Sequence, residues 1–138
     1  MLLKDRVGLP GDPLFLVDGN AFIYRAFYAF PDLKRSDGTL SNALFIVLRL
    51  LFRLLREERP VHVGVFLDGR GSTGSRQAVF PAYKAQRQAT PEPLLAQVEP
   101  IKEAVRLLGL TLVVSEGGEA DDCIASLAAR LKSRTPVA

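Results

Sequence analysis

Five carboxylates hold the most informative positions in this 138-residue sequence. Asp18 follows the apolar run Leu14–Val17, and Asp68 follows a second run, Val61–Leu67. Glu119, Asp121 and Asp122 come after a third run, Leu110–Val114, beyond the break at Gly117-Gly118. Acids gathered in one crevice repel each other and resist ionisation unless a cation sits among them. An all-oxygen donor set selects a hard cation, Mg²⁺ or Mn²⁺. Zinc is disfavoured, because one His and one Cys cannot build its usual site. Each acid also has an ordinary explanation. Acids in a first helical turn gain ~0.3–1 kcal/mol each from the helix dipole. Asp before Gly, as in Asp18-Gly19 and Asp68-Gly69, is a common turn pair. Their shared position after three successive runs favours the cation site.

The second chemical feature is cationic. Residues 69–90 hold Arg70, Arg76, Lys84 and Arg87 and no acid, with Gly69, Gly71 and Gly74 near the start and Phe80 and Tyr83 among the charges. Cations neutralise phosphates, and aromatic rings stack on unpaired bases. Composition alone also fits a mobile, solvated loop. Position favours the nucleic-acid reading, because the segment begins beside Asp68, and a cation pocket next to a metal site is what phosphoryl transfer needs. Gly69–Ser75 is not a P-loop, because no Lys follows its last Gly.

These residues need a frame. The three apolar runs, bounded by turn residues, read as buried strands. Between them lie helical patterns. Ala21–Phe30 carries Ala21, Tyr24, Phe27 and Tyr28 on one side and meets Pro31. Ala43–Leu55 follows an N-cap at Ser41 or Asn42 and is apolar except for a stripe of Arg49, Arg53 and Arg56. Such a helix is expected to be buried over most of its circumference. Thr90-Pro91-Glu92 reads as an N-cap with Pro at the first helical position, opening a helix that bends at Pro100 and ends at Gly109. Glu119–Lys132 is amphipathic, with Ala120, Cys123, Ile124, Leu127, Ala128 and Leu131 on one face. A fourth strand is expected to begin near Ala138. Strands alternating with helices predict an α/β fold with a parallel sheet, whose ligands collect at the carboxyl ends of the strands. All five acids then face one crevice.

Composition excludes several classes. The 48% apolar and 24% charged fractions are ordinary for a globular chain, and the length suits one domain of the usual ~100–200 residues. One cysteine excludes a disulfide scaffold and points to a reducing compartment. The greasiest stretch, Ala43–Leu55, is interrupted by Arg49 and Arg53, so it cannot span a bilayer. Lys4, Asp5 and Arg6 lead into no apolar run, so no secretory signal is read and the expected address is the cytoplasm. His62 reads as structural, Cys123 as core, and Phe27 and Tyr28 as packing.

Three stretches carry a resemblance: LFLVDGNAFIYRAFYAF (14–30), FLDGRGSTGSRQAVFPAYKAQR (66–87) and EGGEADDCIASLA (116–128). In this order they resemble the 5′→3′ exonuclease, or flap endonuclease, domain at the N-terminus of bacterial DNA polymerase I. The resemblance implies a three-layer α/β/α, PIN-like (Rossmann-like) fold with a mostly parallel sheet. It implies that Asp18, Asp68, Glu119, Asp121 and Asp122 are carboxylates for Mg²⁺ or Mn²⁺. Lys84 and Arg76 match basic residues near the scissile phosphate, and Tyr83 matches an aromatic that stacks on the terminal nucleotide. Arg87 matches a position in the helical arch that single strands thread through, so residues 69–90 become a flexible basic arch, with Arg70 and Arg25 as further nucleic-acid contacts. The expected activity is metal-dependent cleavage of DNA bearing a 5′ single-stranded flap or end, by a monomer that can be fused to a polymerase.

Two departures accompany the match. GSTGS precedes Arg76 where relatives commonly carry Pro and an aromatic, and Gln77-Ala78 replaces a common His-Glu pair. The family also continues past the position of Ala138, with a fourth strand, an Asp-x-Asp pair and a helical duplex-binding motif. Residues 1–138 are therefore expected to be the N-terminal part of the nuclease domain, truncated at the C-terminus and without a second domain. By itself this part is expected to bind metal weakly and to cleave flapped DNA poorly or not at all. Two other readings stand beside this one: a PIN-type ribonuclease, and a non-catalytic nucleic-acid-binding module with an incomplete metal site.

Overall fold

The structure is a computed structural model that describes residues 6, 8–9, 11–30, 33–69, 90–115, 119–131 and 136–137. Three parallel strands form its sheet in the order β1 (Phe15–Asp18), β2 (Val63–Asp68), β3 (Thr111–Ser115). Among the described residues four helices connect and flank them: α1 (Gly19–Ala29), α2 (Asn42–Glu58), α3 (Glu92–Leu107) and α4 (Ala120–Leu131). Val17 pairs with Val65, and Val65 with Leu112, so alternate residues of all three strands share a face. On that face Phe15, Val17, Val63, Val65 and Leu67 join Ile23 of α1, Val47 and Leu51 of α2, and Ile101 and Val105 of α3 in one core. The opposite face presents Leu16, Gly64, Phe66 and Val113, with Leu127 of α4 beside them. This is the expected α/β/α layering. Residues 63–67 of β2 are all buried, which explains a continuous apolar run rather than an alternating one. Leu14 makes a parallel bridge to Val137, and Leu14 N donates to the Pro136 carbonyl at 2.8 Å. This isolated bridge lies close to the position where the sequence leads a fourth strand to be expected. Among the described residues no helix is long and apolar enough to cross a membrane.

Several local expectations are corrected. The first helix begins at Gly19, not Ala21, because Asp18 both ends β1 and caps α1, its Oδ1 accepting from Ala21 N at 3.1 Å. Gly19 permits this junction. A Cβ there would lie 2.8 Å from the Phe66 carbonyl oxygen and 2.7 Å from Leu67 Cδ2, so only glycine lets α1 start against β2.

Ser41 occupies the N-cap position of α2 but makes no side-chain cap bond. Asn42 is instead the first helical residue and fully buried: its Nδ2 donates to the Phe27 carbonyl at 2.8 Å, and its Oδ1 accepts from Gln97 Nε2 at 2.9 Å. Gln97 Oε1 in turn accepts from Leu44 N at 3.1 Å, so one satisfied polar node ties α1, α2 and α3 together.

The expected burial of α2 is also corrected. Only Asn42, Ala43, Val47 and Leu51 are buried, while Phe45 and Phe52 are 51% and 56% exposed on the side of Arg49, Arg53 and Arg56. Apolar composition around a helix does not say how many neighbours it has. Tyr28, read as packing, is 62% exposed and meets Phe27 edge-on at 5.2 Å. Thr90 is not the cap of α3. Pro91 holds that position, its carbonyl accepting from Leu94 N and Leu95 N. Helix α3 continues through Pro100, and Gly109, at φ 75°, follows its end as expected. Cys123 is half-buried rather than core, as are Ile124, Leu127, Ala128 and Leu131 on the expected face of α4. In the loop before α2, Asp37 accepts from the Thr39 hydroxyl at 2.6 Å and from Thr39 N at 2.9 Å, which holds its carboxyl below the ordinary value.

Candidate metal centre

The parallel register puts the ends of β1 and β2 at one edge of the sheet. Asp18 is the last residue of β1 and Asp68 the last of β2. A crevice of about 160 Å³ opens there, lined by Asp18, Asn20, Ala21, Tyr24, Asp68, Glu119 and Asp121. Four of the five acids singled out in the sequence therefore border one space. Asp122 does not line it but stays close: one carboxylate oxygen from each of Glu119, Asp121 and Asp122 lies within 4.8 Å of the others.

Backbone donors hold Asp68, Asp18 and Asp121. Asp68 Oδ1 accepts from Ala120 N, the first residue of α4, at 2.6 Å. That bond ties the end of β2 to the start of α4 and aims the helix N-terminus, with its partial positive charge, at the acids. Asp68 N donates to Asn20 Oδ1 at 2.8 Å, so the same residue is also held from α1. Asp18 is oriented by its capping bond to Ala21 N. Asp121 Oδ1 accepts from Asp122 N at 2.9 Å. Glu119 is only 3% exposed, whereas Asp121 and Asp122 are exposed, so the cluster runs from a buried carboxylate out to solvent.

The donor set suits a small hard cation. Ligand oxygens around a six-coordinate Mg²⁺ stand ~3–4.2 Å apart, from Mg–O distances of ~2.1 Å. The spacing of the Glu119, Asp121 and Asp122 oxygens is compatible with that after a slight contraction. Among the described residues no His or Cys joins the cluster, which agrees with an oxygen-only site.

Of the expected cationic partners, Arg25 alone lies among the described residues. Arg25 is exposed, its guanidinium 5.9 Å from the centroid of the Phe22 ring, and it is not one of the residues lining the crevice. Arg70, Arg76, Tyr83, Lys84 and Arg87, and with them the expected flexible arch, lie outside the described residues. Asn20 and Tyr24 were not singled out as site residues by the sequence. Asn20 reads there as one more turn residue after Asp18-Gly19, and only its bond to Asp68, 48 positions away, reveals the brace. Tyr24, one turn past Asp18, reads in the sequence as open between packing and function; in the structure it borders the crevice and its hydroxyl lies 2.7 Å from Thr90 Oγ1.

Residues 13–138 match the family described as "5′-3′ exonuclease, N-terminal resolvase-like domain". The chain is similar to a 5′-3′ exonuclease of Aquifex aeolicus, with 40% identity over 121 residues, covering 88% of this chain and 42% of the relative. It is also similar to the DNA polymerase I of Pseudomonas aeruginosa, with 44% identity over 116 residues, covering 84% of this chain and 13% of the relative. Among solved structures, the T5 D15 protein co-crystallised with metal ions shares the fold at a TM-score of 0.60 and 21% identity, over 89% of this chain and 45% of that one. The chain thus spans less than half the length of each of these proteins.

Proposed function

The chain belongs to the 5′-3′ exonuclease N-terminal, resolvase-like domain family, and on that premise we propose that its acidic crevice is the metal centre of a DNA-cleaving nuclease acting on 5′ single-stranded flaps or ends. The observation that carries the reading is the meeting of Asp18, Asp68, Glu119 and Asp121 around one crevice at the carboxyl edge of the sheet. Glu119, Asp121 and Asp122 would hold Mg²⁺ or Mn²⁺, with Asp18 and Asp68 lining the same crevice. Such an ion, when bound, supplies Lewis acidity at a phosphoryl oxygen and lowers the pKa of a water.

The chain's own residues do the positioning. Ala120 N keeps Asp68 Oδ1 in place, so this carboxylate keeps one orientation when substrate arrives. Glu119, buried, presents its charge where water screens it least. By the family resemblance, Lys84 and Arg76 stabilise charge building on the scissile phosphate, Tyr83 stacks on the terminal nucleotide, and Arg87, Arg70 and Arg25 bind the backbone.

The test is cleavage of end-labelled 5′-flapped DNA, with the chain in excess, in Mg²⁺, in Mn²⁺ and in EDTA. Single-turnover conditions are chosen because the chain spans less than half the length of its relatives. The expected result is slow, metal-dependent cleavage that EDTA abolishes. DNA that is bound but left intact with either metal, both by this chain and by a chain extended to the length of its relatives, would overturn the reading in favour of a non-catalytic binding module. Cleavage of RNA but not of DNA would replace it with a ribonuclease.

A further inference from the structure

One face of α1 holds both ends of the basic segment. Asn20 and Tyr24 are four residues apart, so they project from the same side of the helix, and both line the acidic crevice. Asn20 Oδ1 accepts from Asp68 N, immediately before the segment begins at Gly69. The Tyr24 hydroxyl pairs with Thr90 Oγ1 at 2.7 Å, at the residue where the segment ends. This second bond joins residues 66 positions apart and is partly buried. Thr90 is free for it because Pro91, not Thr90, caps α3.

We propose that Thr90 is a positioning residue for the cleavage site. Its hydroxyl fixes the Tyr24 side chain in the crevice wall and, by the same bond, fixes Thr90, the last residue of the basic segment, relative to the carboxylates. This rests on the reading above that the crevice cleaves DNA and that the segment's cations bind it. The bond reaches no reacting atom, so it acts on how well DNA is held more than on the bond-breaking step. Removing one neutral, partly buried hydrogen bond typically weakens what it positions by roughly three- to tenfold.

The experiment compares wild type with Thr90→Val, Thr90→Ser, Tyr24→Phe and the Tyr24→Phe/Thr90→Val double variant. Two quantities are read: affinity for labelled 5′-flapped DNA without divalent metal, and the single-turnover cleavage curve with metal. Thr90→Val and Tyr24→Phe are each expected to raise the half-saturating concentration by roughly three- to tenfold while the maximal rate moves less. The double variant should lose no more than the larger single loss, because both substitutions remove the same bond. Thr90→Ser keeps the oxygen and should restore wild-type affinity.

A purely structural contact would lower the melting temperature and leave this split absent. Additive losses in the double variant, no rescue by serine, or unchanged DNA affinity while wild type still cleaves would overturn the positioning role alone. A wild-type chain that neither binds nor cleaves DNA would overturn both it and the reading on which it rests.

Discussion

Two charged regions of this molecule are built in opposite ways. At the crevice, the two acids that end strands are each set by a backbone donor: Asp68 by Ala120 N at 2.6 Å and Asp18 by Ala21 N at 3.1 Å. On the outer face of α2, charge meets charge through long side chains. Arg53 Nε lies 3.1 Å from Glu57 Oε2, and Arg56 reaches the same carboxylate at 3.9 Å, with the arginine side chains 74% and 81% exposed. A backbone amide cannot swing away, so Asp68 and Asp18 keep one orientation. Exposed pairs trade freely with water and contribute little. The contrast teaches where this fold fixes charge and where it only solvates it.

The largest expected effect comes from changing charge without changing shape in the first region. Asp68→Asn keeps the oxygen that accepts from Ala120 N but removes the negative charge. Single-turnover DNA cleavage should fall by at least ~100-fold, at or beyond the upper end seen when residues supporting metal ligands are altered. The melting temperature should stay near wild type. Retained cleavage would mean that the fixed charge at the end of β2 has no role in the chemistry.

A smaller effect is expected from the backbone that sets those charges. In Gly19→Ala the new Cβ meets the Phe66 carbonyl oxygen and Leu67 Cδ2 at under 3.0 Å, so the start of α1 must move away from β2. Overpacking of this kind costs about 1–3 kcal/mol, measurable by urea unfolding. An unchanged unfolding midpoint would show that the junction is less tight than the geometry indicates.

The smallest effect belongs to the second region. Glu57→Ala leaves Arg53 and Arg56 without their shared partner, yet stability should change by no more than about 0.5 kcal/mol, and less at high salt. A loss of several times that amount would erase the distinction between the two regions.

The sequence made the frame legible because strands and helices announce themselves locally. Apolar runs ending in Asp18 and Asp68 became β1 and β2 to within two residues at either end, and the half-buried face of α4 is the predicted one. The crevice was legible as well, since a parallel sheet sends successive strand ends to the same edge. What stayed hidden are contacts between distant positions. The Asn42–Gln97 node spans 55 residues and the Tyr24–Thr90 bond 66, and neither leaves a local pattern. Asn42 and Thr90 both read as helix caps because a polar residue before a helix usually is one. Here tertiary partners claimed their side chains instead. Phe45 and Phe52 show the converse limit, since composition gives a helix an apolar surface without giving it a neighbour.

The central claim is that the acids at the carboxyl edge bind a divalent cation, and a calorimetric Mn²⁺ titration of the chain, repeated on the Glu119→Gln/Asp121→Asn variant, tests it most directly. Circular dichroism of both proteins verifies that the fold is kept. Saturable Mn²⁺ binding by wild type, lost in the variant and competed by Mg²⁺ but not by K⁺, is the predicted result. Equal Mn²⁺ binding by the two proteins, or none by wild type, would contradict the account.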